Sequence, residues 1–539
     1  MKRSYLLLAA AAALFAADYT AEGQLWWSHI QFLADDKLAG RNVGTEGFQQ
    51  AAAYVSEQFE KIGLKPAGAS GYFQAVKFET RSLIPGQTKL SLFREGTELP
   101  LTMGRDATLA ARGSLNGSLE AQVVFVGYGM SIPGTTWNDL AGLDLKGKIA
   151  AYVNVAAPAG VSDNVKSHFS SAGERWAVLQ KAGAIGVAVL PNPRPADTTA
   201  PNTNTAPAGR GGRGGGDAPP PAPVFSIADP SLQEVPPQVL AATLTRAGAE
   251  KLLEGSGHDL AEIERLVQAN QPLPRFQIPG TLRASAAVQT GTVDSTNVAG
   301  ILPGSDPKLK DEYVIMSAHL DHLGVGRAVN GDNIYNGAMD DASGVASVIE
   351  IARMLKDSGA KHKRSILFLT VTGEEKGLLG SRYFAARPLV GSGTVVADIN
   401  LDMFLPLFPL KVIEVQGLTE STLGEQVTAS AKDLGVEVQT DREPDQNRFI
   451  RSDQYSFIRS GIPALAFKFG YEFGSEDEKT RKDWVRDRYH KPSDDVSQPV
   501  DRAAAAKFNR VILGLLQRVA DDPARPRWKD DSFFKRFAK

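Results

Sequence analysis

The chain has 539 residues, too many for a single hydrophobic core, so two or three domains are expected. Its 59 Lys and Arg residues nearly balance 61 Asp and Glu residues, which excludes a strong electrostatic attraction to nucleic acid or to an anionic membrane. Cysteine is absent, so disulfides, thiolate nucleophiles and Cys-ligated zinc are excluded, and any metal must be bound by His, Asp or Glu.

The first residues have the pattern of an export signal. Lys2 and Arg3 give a positive start, and an apolar run follows over residues 5–17. Because this run is shorter than the roughly 20 residues that span a bilayer, it predicts a signal peptide over residues 1–20 and an exported protein, periplasmic or extracellular. An uncleaved membrane anchor is the alternative. No other segment has the pattern of a transmembrane helix, so no stable membrane insertion is expected.

The segments after the signal predict a separate module. Apolar residues recur at helical spacing over residues 25–62, and residues 72–126 are rich in strand formers. Residues 112–285 then form a small mixed α/β unit by their strand–helix–strand order. Its predicted elements cover residues 146–153, 170–182 and 183–190.

A low-complexity stretch interrupts this module. Residues 191–223 are rich in Pro, Gly, Thr and Asn, a composition that cannot bury enough apolar surface to order itself, so a surface loop is predicted. Residues 210–216 read Arg-Gly-Gly-Arg-Gly-Gly-Gly, which can bind RNA. Two arginines in a nearly neutral chain are a weak basis for that, and no nucleic-acid partner is expected.

From about residue 296 to residue 520, apolar strands alternate with helices. This order predicts an α/β fold with a mostly parallel sheet that is flanked by helices on both faces. In such sheets, binding sites form at the carboxyl ends of the strands. The strands are predicted at residues 314–317, 366–371, 395–401, 412–415 and 464–469, and the helices near residues 343–357, 377–386, 421–434, 453–459 and 500–519.

The first of these strands leads into His319 and Asp321. Alternate residues of an extended segment share a face, so the Asp321 carboxylate is expected to accept the free ring N–H of His319. Such a contact fixes the tautomer of a metal-binding histidine. A histidine at a strand end is more often structural, so this pair alone decides nothing.

Residues 337–344 stand directly before the first helix of this pattern and read Gly-Ala-Met-Asp-Asp-Ala-Ser-Gly. Asp341 or Ser343 is expected to cap that helix, because both residue types accept hydrogen bonds from a helix N-terminus. Asp340 is then left free to project into a site. Helix capping alone is the simpler interpretation of the segment.

Acidic residues follow two further strands. Glu374 and Glu375 come after the strand at 366–371, where adjacent carboxylates repel each other and lose solvation. A cation relieves both effects, since one glutamate can bind it while the other deprotonates a water; a solvated acidic loop is the alternative. Asp402 ends the next strand, where Asp is disfavoured, and His490 lies in a loop-like segment.

These residues form one set of two histidines and three carboxylates without sulfur. Such ligands suit two zinc ions bridged by a carboxylate and sharing an activated water. The set comprises His319, Asp340, Glu375, Asp402 and His490.

Five motifs occur in one order: His-x-Asp, Gly-Ala-x-Asp-x-x-Ser-Gly, Gly-Glu-Glu, a strand-end Asp, and Tyr-His-x-Pro-x-Asp. In this order they resemble the two-zinc aminopeptidase family, which includes glutamate carboxypeptidase and the transferrin receptor. The resemblance covers about residues 25–520. It implies a zinc exopeptidase fold and two Zn²⁺ ions per chain.

The resemblance implies a role for each ligand. Asp340 bridges the metals, His319 and Asp402 complete one ion, and Glu375 and His490 complete the other. Because none of these positions is lost, a catalytically dead homologue is not expected.

The resemblance also implies roles beside the metals. Glu374 is the general base, Asp321 orients His319, and Tyr489 hydrogen-bonds the substrate, the last being a weaker assignment. His322 lies near the site, but the family pattern gives it no ligand role.

The implied domains are an amino-terminal part of the peptidase domain over residues 21–111, an inserted protease-associated domain over residues 112–285, a catalytic zinc peptidase domain over residues 286–522 and a carboxyl-terminal tail over residues 523–539. The implied function is a secreted metallo-exopeptidase, an aminopeptidase that acts on peptide substrates.

Several alternatives stay open at this point. The motifs set the chemistry and not the peptide end, so a carboxypeptidase or dipeptidase fits too. A one-zinc glutaminyl cyclase and a non-enzymatic binding protein are further alternatives, and cobalt or manganese fits similar ligands. The sequence has no Gly-x-Ser-x-Gly elbow, which argues against a serine hydrolase. Oligomeric state and side-chain preference are not visible in the sequence.

Overall fold

The computed structural model describes residues 19–538, except residues 69, 85, 112, 114, 156–162, 193–222 and 234–238. Nearly all of the predicted signal peptide, and nearly all of the predicted low-complexity loop, therefore lie outside the described residues. Within the described part of the chain, no helix is both long enough and apolar enough to cross a membrane.

Helices and strands alternate along most of the chain. The helices are α1 (residues 19–33), α2 (Glu46–Ile62), α3 (Asp163–Ser170), α4 (Ala172–Lys181), α5 (Arg246–Leu253), α6 (Leu260–Gln268), α7 (Ser343–Asp357), α8 (Leu379–Ala386), α9 (Leu423–Asp433), α10 (Gln454–Arg459), α11 (Glu476–Asp487) and α12 (Arg502–Asp521). The strands are β1 (Lys65–Pro66), β2 (Phe73–Leu83), β3 (Lys89–Arg94), β4 (Thr97–Pro100), β5 (Ala107–Leu109), β6 (Gly117–Phe125), β7 (Ile149–Val153), β8 (Gly186–Leu190), β9 (Val224–Ile227), β10 (Leu240–Leu244), β11 (Phe276–Ala286), β12 (Val288–Leu302), β13 (Glu312–His319), β14 (Gly324–Val329), β15 (Asp332–Tyr335), β16 (Ser365–Val371), β17 (Thr394–Asn400), β18 (Val412–Gln416), β19 (Glu437–Gln439) and β20 (Ala464–Phe469).

The chain divides into two compact units. The first comprises the described residues up to 77 together with residues 293–538, and the second comprises residues 78–292. The second unit thus starts earlier in the chain than the inserted module that the sequence predicts at 112–285. Its identity as a protease-associated domain stays a prediction.

The first unit is built on a mixed sheet with a parallel centre. Its strands lie in the order β19-β18-β20-β17-β13-β16-β12-β2. Strands β16, β13, β17 and β20 run parallel to one another, whereas β12 and β18 join them on either side in the antiparallel direction. The predicted α/β class is confirmed, and the parallel strands occupy the middle of the sheet.

Strand β13 shows how both faces of this sheet are covered. Val314 and Met316 belong to a core formed with α2, α7, α9 and α12, whereas Ile315 belongs to a second core with α8 and α10. All three side chains are fully buried. Because successive side chains of a strand point to opposite faces, a continuous apolar run is what a strand covered by helices on both faces requires.

The predicted carboxyl-terminal tail packs into the first unit. Trp528 is buried and donates through Nε1 to the carbonyl of Gly461, at 3.0 Å. Phe534 is fully buried, with its ring centroid 5.2 Å from that of Phe449. Residues after α12 therefore contribute to a core of the first unit.

The second unit has an eight-stranded sheet of its own, in the order β4-β3-β11-β6-β7-β8-β10-β5. Strands β6, β7, β8 and β10 are parallel. Tyr152, Trp176 and Leu179 lie in its apolar core, which joins the sheet to α4. This is a mixed α/β unit.

Candidate metal centre

Parallel strands bring the candidate ligands to one edge of the first unit's sheet. Strand β13 ends at His319, β16 at Val371 and β17 at Asn400. The register pairs His319 with Val371, so these two strands stop at the same level. Residues that follow the strand ends, such as Glu375 and Asp402, consequently emerge at the same edge.

One group of ligand atoms, which we name the first position, is formed by His319, Asp340 and Asp402. Nε2 of His319 lies 3.2 Å from Asp340 Oδ1 and 3.9 Å from Asp402 Oδ1. The three side chains offer ligand atoms that all lie within 4.8 Å of one another. Three protein ligands can hold one metal ion and leave a coordination site for water or substrate.

A second group, the second position, forms on the other oxygen of the same aspartate. His490 Nε2 lies 3.2 Å from Asp340 Oδ2 and 3.4 Å from Glu375 Oε1. Asp340 thus presents one oxygen to each position. The structure brings all five predicted ligands together around this carboxylate.

His322 also lies at the second position, where the sequence analysis assigned it no role. Its Nδ1 is 2.9 Å from Glu375 Oε1 and 3.9 Å from Asp340 Oδ2. The side chain is fully buried. The available signal was its spacing: His322 is three residues after His319, in a segment that begins at the same strand end.

The predicted contact between the Asp321 carboxylate and the His319 ring is wrong. His319 Nδ1 lies 2.9 Å from the backbone carbonyl oxygen of Asp321 instead. The carboxylate accepts hydrogen bonds from the backbone amides of Glu374 (3.1 Å) and Glu375 (3.3 Å). The chain turns after β13, so the carbonyl meets the ring while the carboxylate fixes the glutamate loop.

Asp341 caps helix α7 and also joins the strand ends. Its Oδ1 accepts from the amides of Gly344 (3.0 Å) and Met403 (3.2 Å), and its Oδ2 accepts from the amide of His319 (3.2 Å). Asp341 thus binds an amide of the first turn of α7, as expected of a capping residue, although the N-cap position itself is Ala342. The peptide bond between Asp340 and Asp341 is cis.

Asp494 supports Asp340 from the loop that carries His490. Its carboxylate accepts from the amides of Met339 (2.9 Å) and Asp340 (3.0 Å). The side chain is fully buried. The sequence analysis quoted this residue as the last position of a motif but gave it no function.

Arg41 is a second supporting residue, to which the sequence analysis gave no role. It is fully buried, and burial lowers its pKa to about 10 although Asp494 and Asp340 lie close by. Its guanidinium donates to four backbone carbonyls in three separate segments, at 2.5–3.0 Å. These carbonyls belong to Leu33, Leu320, Asn336 and Gly337.

A family model matches the part of the chain that contains this site. The model of Peptidase family M28 matches residues 297–516, which contain every residue of both positions. Residues 297–516 are therefore similar to Peptidase family M28.

Two fungal proteins are similar to part of this chain. A probable zinc metalloprotease of Pyrenophora tritici-repentis is 27% identical over 264 residues, which are 43% of this chain and 59% of that protein. A probable leucine aminopeptidase 2 of Aspergillus fumigatus is 27% identical over 237 residues, 42% of each chain. The chain spans less than two thirds of the length of these curated relatives.

The solved structure of an aminopeptidase from Aneurinibacillus sp. strain AM-1 resembles the whole chain. The TM-score is 0.50 at 20% identity, and the match covers 93% of this chain and 95% of that one. This likeness supports the fold.

The electrostatics of the two positions favour a cation at this edge of the sheet. Burial opposes ionisation of Asp340 and Glu375, yet neighbouring imidazoles hold the pKa of both carboxyls well below the usual range. His319 and then His490 contribute most at Asp340, and His490 and then His322 contribute most at Glu375. Burial lowers the pKa of His319 and His490, but the surrounding carboxylates outweigh it and raise both values well above the usual one. Negative charge is therefore concentrated where a divalent ion would neutralise it.

Ligand atoms of the second position also lack partners. Asp340 Oδ2, Glu375 Oε1 and His322 Nδ1 are buried and have no aligned hydrogen bond among the described residues. Buried polar atoms without partners are costly. A metal ion between them would satisfy all three, so the side chains present fit a bound metal.

Glu374 and Tyr489 flank the two positions. Burial raises the pKa of Glu374 well above its usual value, His319 opposes this, and the charge of Glu375 adds to it. The Tyr489 ring stacks on His490 with centroids 3.9 Å apart. Burial, with the nearby carboxylates, raises the pKa of Tyr489 well above its usual value, so its O–H is retained as a donor.

Proposed function

We propose that this chain is an exported two-zinc aminopeptidase that releases single residues from the amino end of peptides. The observation that carries the proposal is the position of Asp340, whose Oδ1 faces His319 and whose Oδ2 faces His490. A carboxylate shared between two ligand groups is what a pair of divalent ions about 3.5–4 Å apart requires.

The donor set favours zinc. It consists of imidazole nitrogens and carboxylate oxygens without sulfur, and catalytic zinc sites use such ligands. One zinc would be held by His319, Asp340 and Asp402, and the other by Asp340, Glu375 and His490. When bound, the ions acidify a water and polarise the scissile carbonyl.

Glu374 moves the proton in this proposal. Its raised pKa means that its carboxylate readily takes up a proton. It would take that proton from the water whose oxygen bonds to the scissile carbonyl carbon, and would give it to the amine nitrogen that leaves as the C–N bond breaks. The Asp321 carboxylate accepts hydrogen bonds from the backbone amides of Glu374 and Glu375 and thereby fixes the backbone position of both residues. The retained O–H of Tyr489 is available to the substrate carbonyl oxygen.

The remaining parts of the proposal rest on other observations. Export rests on the positive start and apolar run of residues 1–20. Action at the amino end is supported by the similarity to a probable leucine aminopeptidase 2 of Aspergillus fumigatus. For the unit at residues 78–292, we keep the assignment as an inserted protease-associated domain.

The test is hydrolysis of a panel of aminoacyl-p-nitroanilides, combined with measurement of bound zinc. We expect release that a chelator abolishes and added zinc restores, with about two zincs per chain. Glu374→Gln is expected to lose activity and keep its zinc, because it removes the proton acceptor and no ligand. Glu425→Gln is the matched control, since Glu425 is exposed on α9 and is expected to change nothing.

A different pattern would redirect the proposal. Two bound zincs without release from any anilide, but with cleavage of amino-terminally blocked peptides or of dipeptides, would identify a carboxypeptidase or a dipeptidase. One zinc with formation of pyroglutamate would indicate a glutaminyl cyclase. Activity that is unaffected by Glu374→Gln would contradict the proposed base.

A further inference from the structure

His322 is held firmly at the second position. Its backbone amide donates to the carbonyl of Arg41 at 3.3 Å, and its side chain is fully buried. A Cβ on Gly337 would lie 2.6 Å from Cγ and Cδ2 of the His322 ring. Gly337 has no Cβ and a φ of 63°, which favours glycine, so it leaves room for the His322 imidazole.

Two imidazoles face the same pair of carboxylate oxygens. Nδ1 of His322 lies 2.9 Å from Glu375 Oε1 and 3.9 Å from Asp340 Oδ2, and Nε2 of His490 lies 3.2 Å from Asp340 Oδ2 and 3.4 Å from Glu375 Oε1. Ligands bound to one zinc at about 2.0–2.1 Å in tetrahedral geometry are separated by roughly 3.3 Å. The four distances bracket this value.

The orientation of these atoms adds a second argument. Although His322 Nδ1 is within 2.9 Å of Glu375 Oε1, neither atom makes an aligned hydrogen bond in the described part of the chain. Asp340 Oδ2 is likewise without one. Ligand atoms of a metal ion lie close to one another, but each points at the ion and not at its neighbours, so hydrogen-bond geometry between them is not expected.

We propose that His322 is a fourth protein ligand of the second position, binding through Nδ1 beside Asp340, Glu375 and His490. This inference rests on the proposed two-zinc function and adds a ligand to it. The two positions then differ in their number of protein ligands. The second has the four protein ligands of a tightly held zinc, whereas the first has three and keeps an open site.

The direct test is X-ray absorption spectroscopy of the full-length, zinc-loaded protein, which counts imidazoles around zinc. With His322 as a ligand, three histidines serve two ions, and we expect about 1.5 imidazoles per zinc rather than about 1.0. This measurement uses the natural chain and therefore does not depend on whether a variant folds.

The matched variants are His322→Gln and His362→Gln. His362 is also buried in the first unit, where its Nδ1 lies 3.1 Å from Asp521 Oδ2, and it lies outside both positions. We expect His322→Gln to weaken one of the two zinc sites by more than the 10–100-fold typical of losing a supporting contact, measured by competition with a chromophoric chelator. His362→Gln is expected to leave both affinities unchanged.

The outcomes separate this inference from the function on which it rests. Two zincs with about 1.5 imidazoles each, falling to about 1.0 in His322→Gln, would establish the ligand. Two zincs with about 1.0 imidazole each in the natural chain would overturn it and leave the two-zinc function standing. A natural chain that binds one zinc or none would overturn both.

Discussion

The carboxylate of Asp494 accepts a hydrogen bond from the backbone amide of Asp340, with Oδ2 and N 3.0 Å apart. The other oxygen of Asp494 accepts from the amide of Met339 and from Nε2 of Gln498. Asp494 is four residues after His490, so one short loop supplies a candidate ligand and also fixes the backbone of Asp340.

This relationship predicts that Asp494→Asn impairs the metal centre without touching it. An asparagine offers one acceptor oxygen and places an NH₂ group against a backbone N–H, so one of the two amides loses its partner. We expect a 10–100-fold loss of kcat/KM or of zinc affinity, as is usual when a residue behind a metal ligand is changed.

The neighbouring carboxylate provides the control. Asp495→Asn alters a side chain that caps a turn by accepting from the amide of Ser497 and does not contact Met339 or Asp340. Both variants should be compared by zinc titration and anilide hydrolysis. Equal behaviour of the two variants would show that the Asp494 contact does not position Asp340.

We expect substitution of Arg41 to lower the free energy of unfolding. Its guanidinium satisfies four buried carbonyls, and a lysine has neither the planar fork nor enough donors to replace it. Arg41→Lys should therefore lower the free energy of unfolding by about 2–4 kcal/mol. Arg327→Lys, at an exposed position on β14, should change it by less than about 0.5 kcal/mol. Thermal unfolding of the two variants checks this, and equal midpoints would contradict it.

We expect a change at Lys468 to lower zinc affinity at the first position only. Its Nζ donates to the backbone carbonyl of Asp402 at 2.5 Å from the end of β20, and burial lowers its pKa while the Asp402 charge opposes this. Lys468→Met removes the contact and should weaken one zinc site about tenfold. Lys507→Met is the control, because Lys507 Nζ makes the same kind of contact with the carbonyl of Leu410. A similar effect of both changes on zinc binding would refute a specific role for Lys468.

The sequence predicted the parallel centre of the sheet because each of its strands is an apolar run that ends in chemically active residues. Strand β16 illustrates this: all seven of its side chains are buried, and the Glu374–Glu375 pair follows after Thr372 and Gly373. Strand-end position was enough to group His319, Glu375 and Asp402, because parallel strands end at one edge. Asp340, before a helix, and His490, in a loop-like segment, joined the set through their ligand chemistry and the order of the motifs.

Contacts between distant segments could not be predicted in this way. Arg41 reaches carbonyls that are up to 296 positions away in the sequence, and no local pattern marks a buried arginine of this kind. The hydrogen-bond partner of the His319 ring depends on the turn after β13, which brings the backbone carbonyl of Asp321 to the ring and not its carboxylate. His322 was visible in the sequence, but its closeness to Glu375 depends on how two loops fold against each other.

The raised pKa of Asp139, in the second unit, is expected to make stability depend on pH. Burial raises its pKa to about 6, although the amide of Met130, 3.1 Å from Oδ2, favours the charged form. In the unfolded chain the value is about 3.9. The folded protein therefore binds more protons between about pH 4 and pH 6, and stability is lost as pH rises through this window.

Asp139→Asn keeps an acceptor for the Met130 amide and carries no charge, so it should remove that loss. Relative to the natural chain, the variant should gain on the order of 2 kcal/mol between about pH 4 and pH 7. Asp144→Asn should show the opposite sign, because the amide of Lys146 and the side chain of Lys148 hold the pKa of Asp144 below its usual value. That contact stabilises the fold at neutral pH and is lost as pH falls. Thermal unfolding of both variants at about pH 4 and pH 7 decides the matter, since a common sign for the two shifts is incompatible with a buried, reluctantly ionised Asp139.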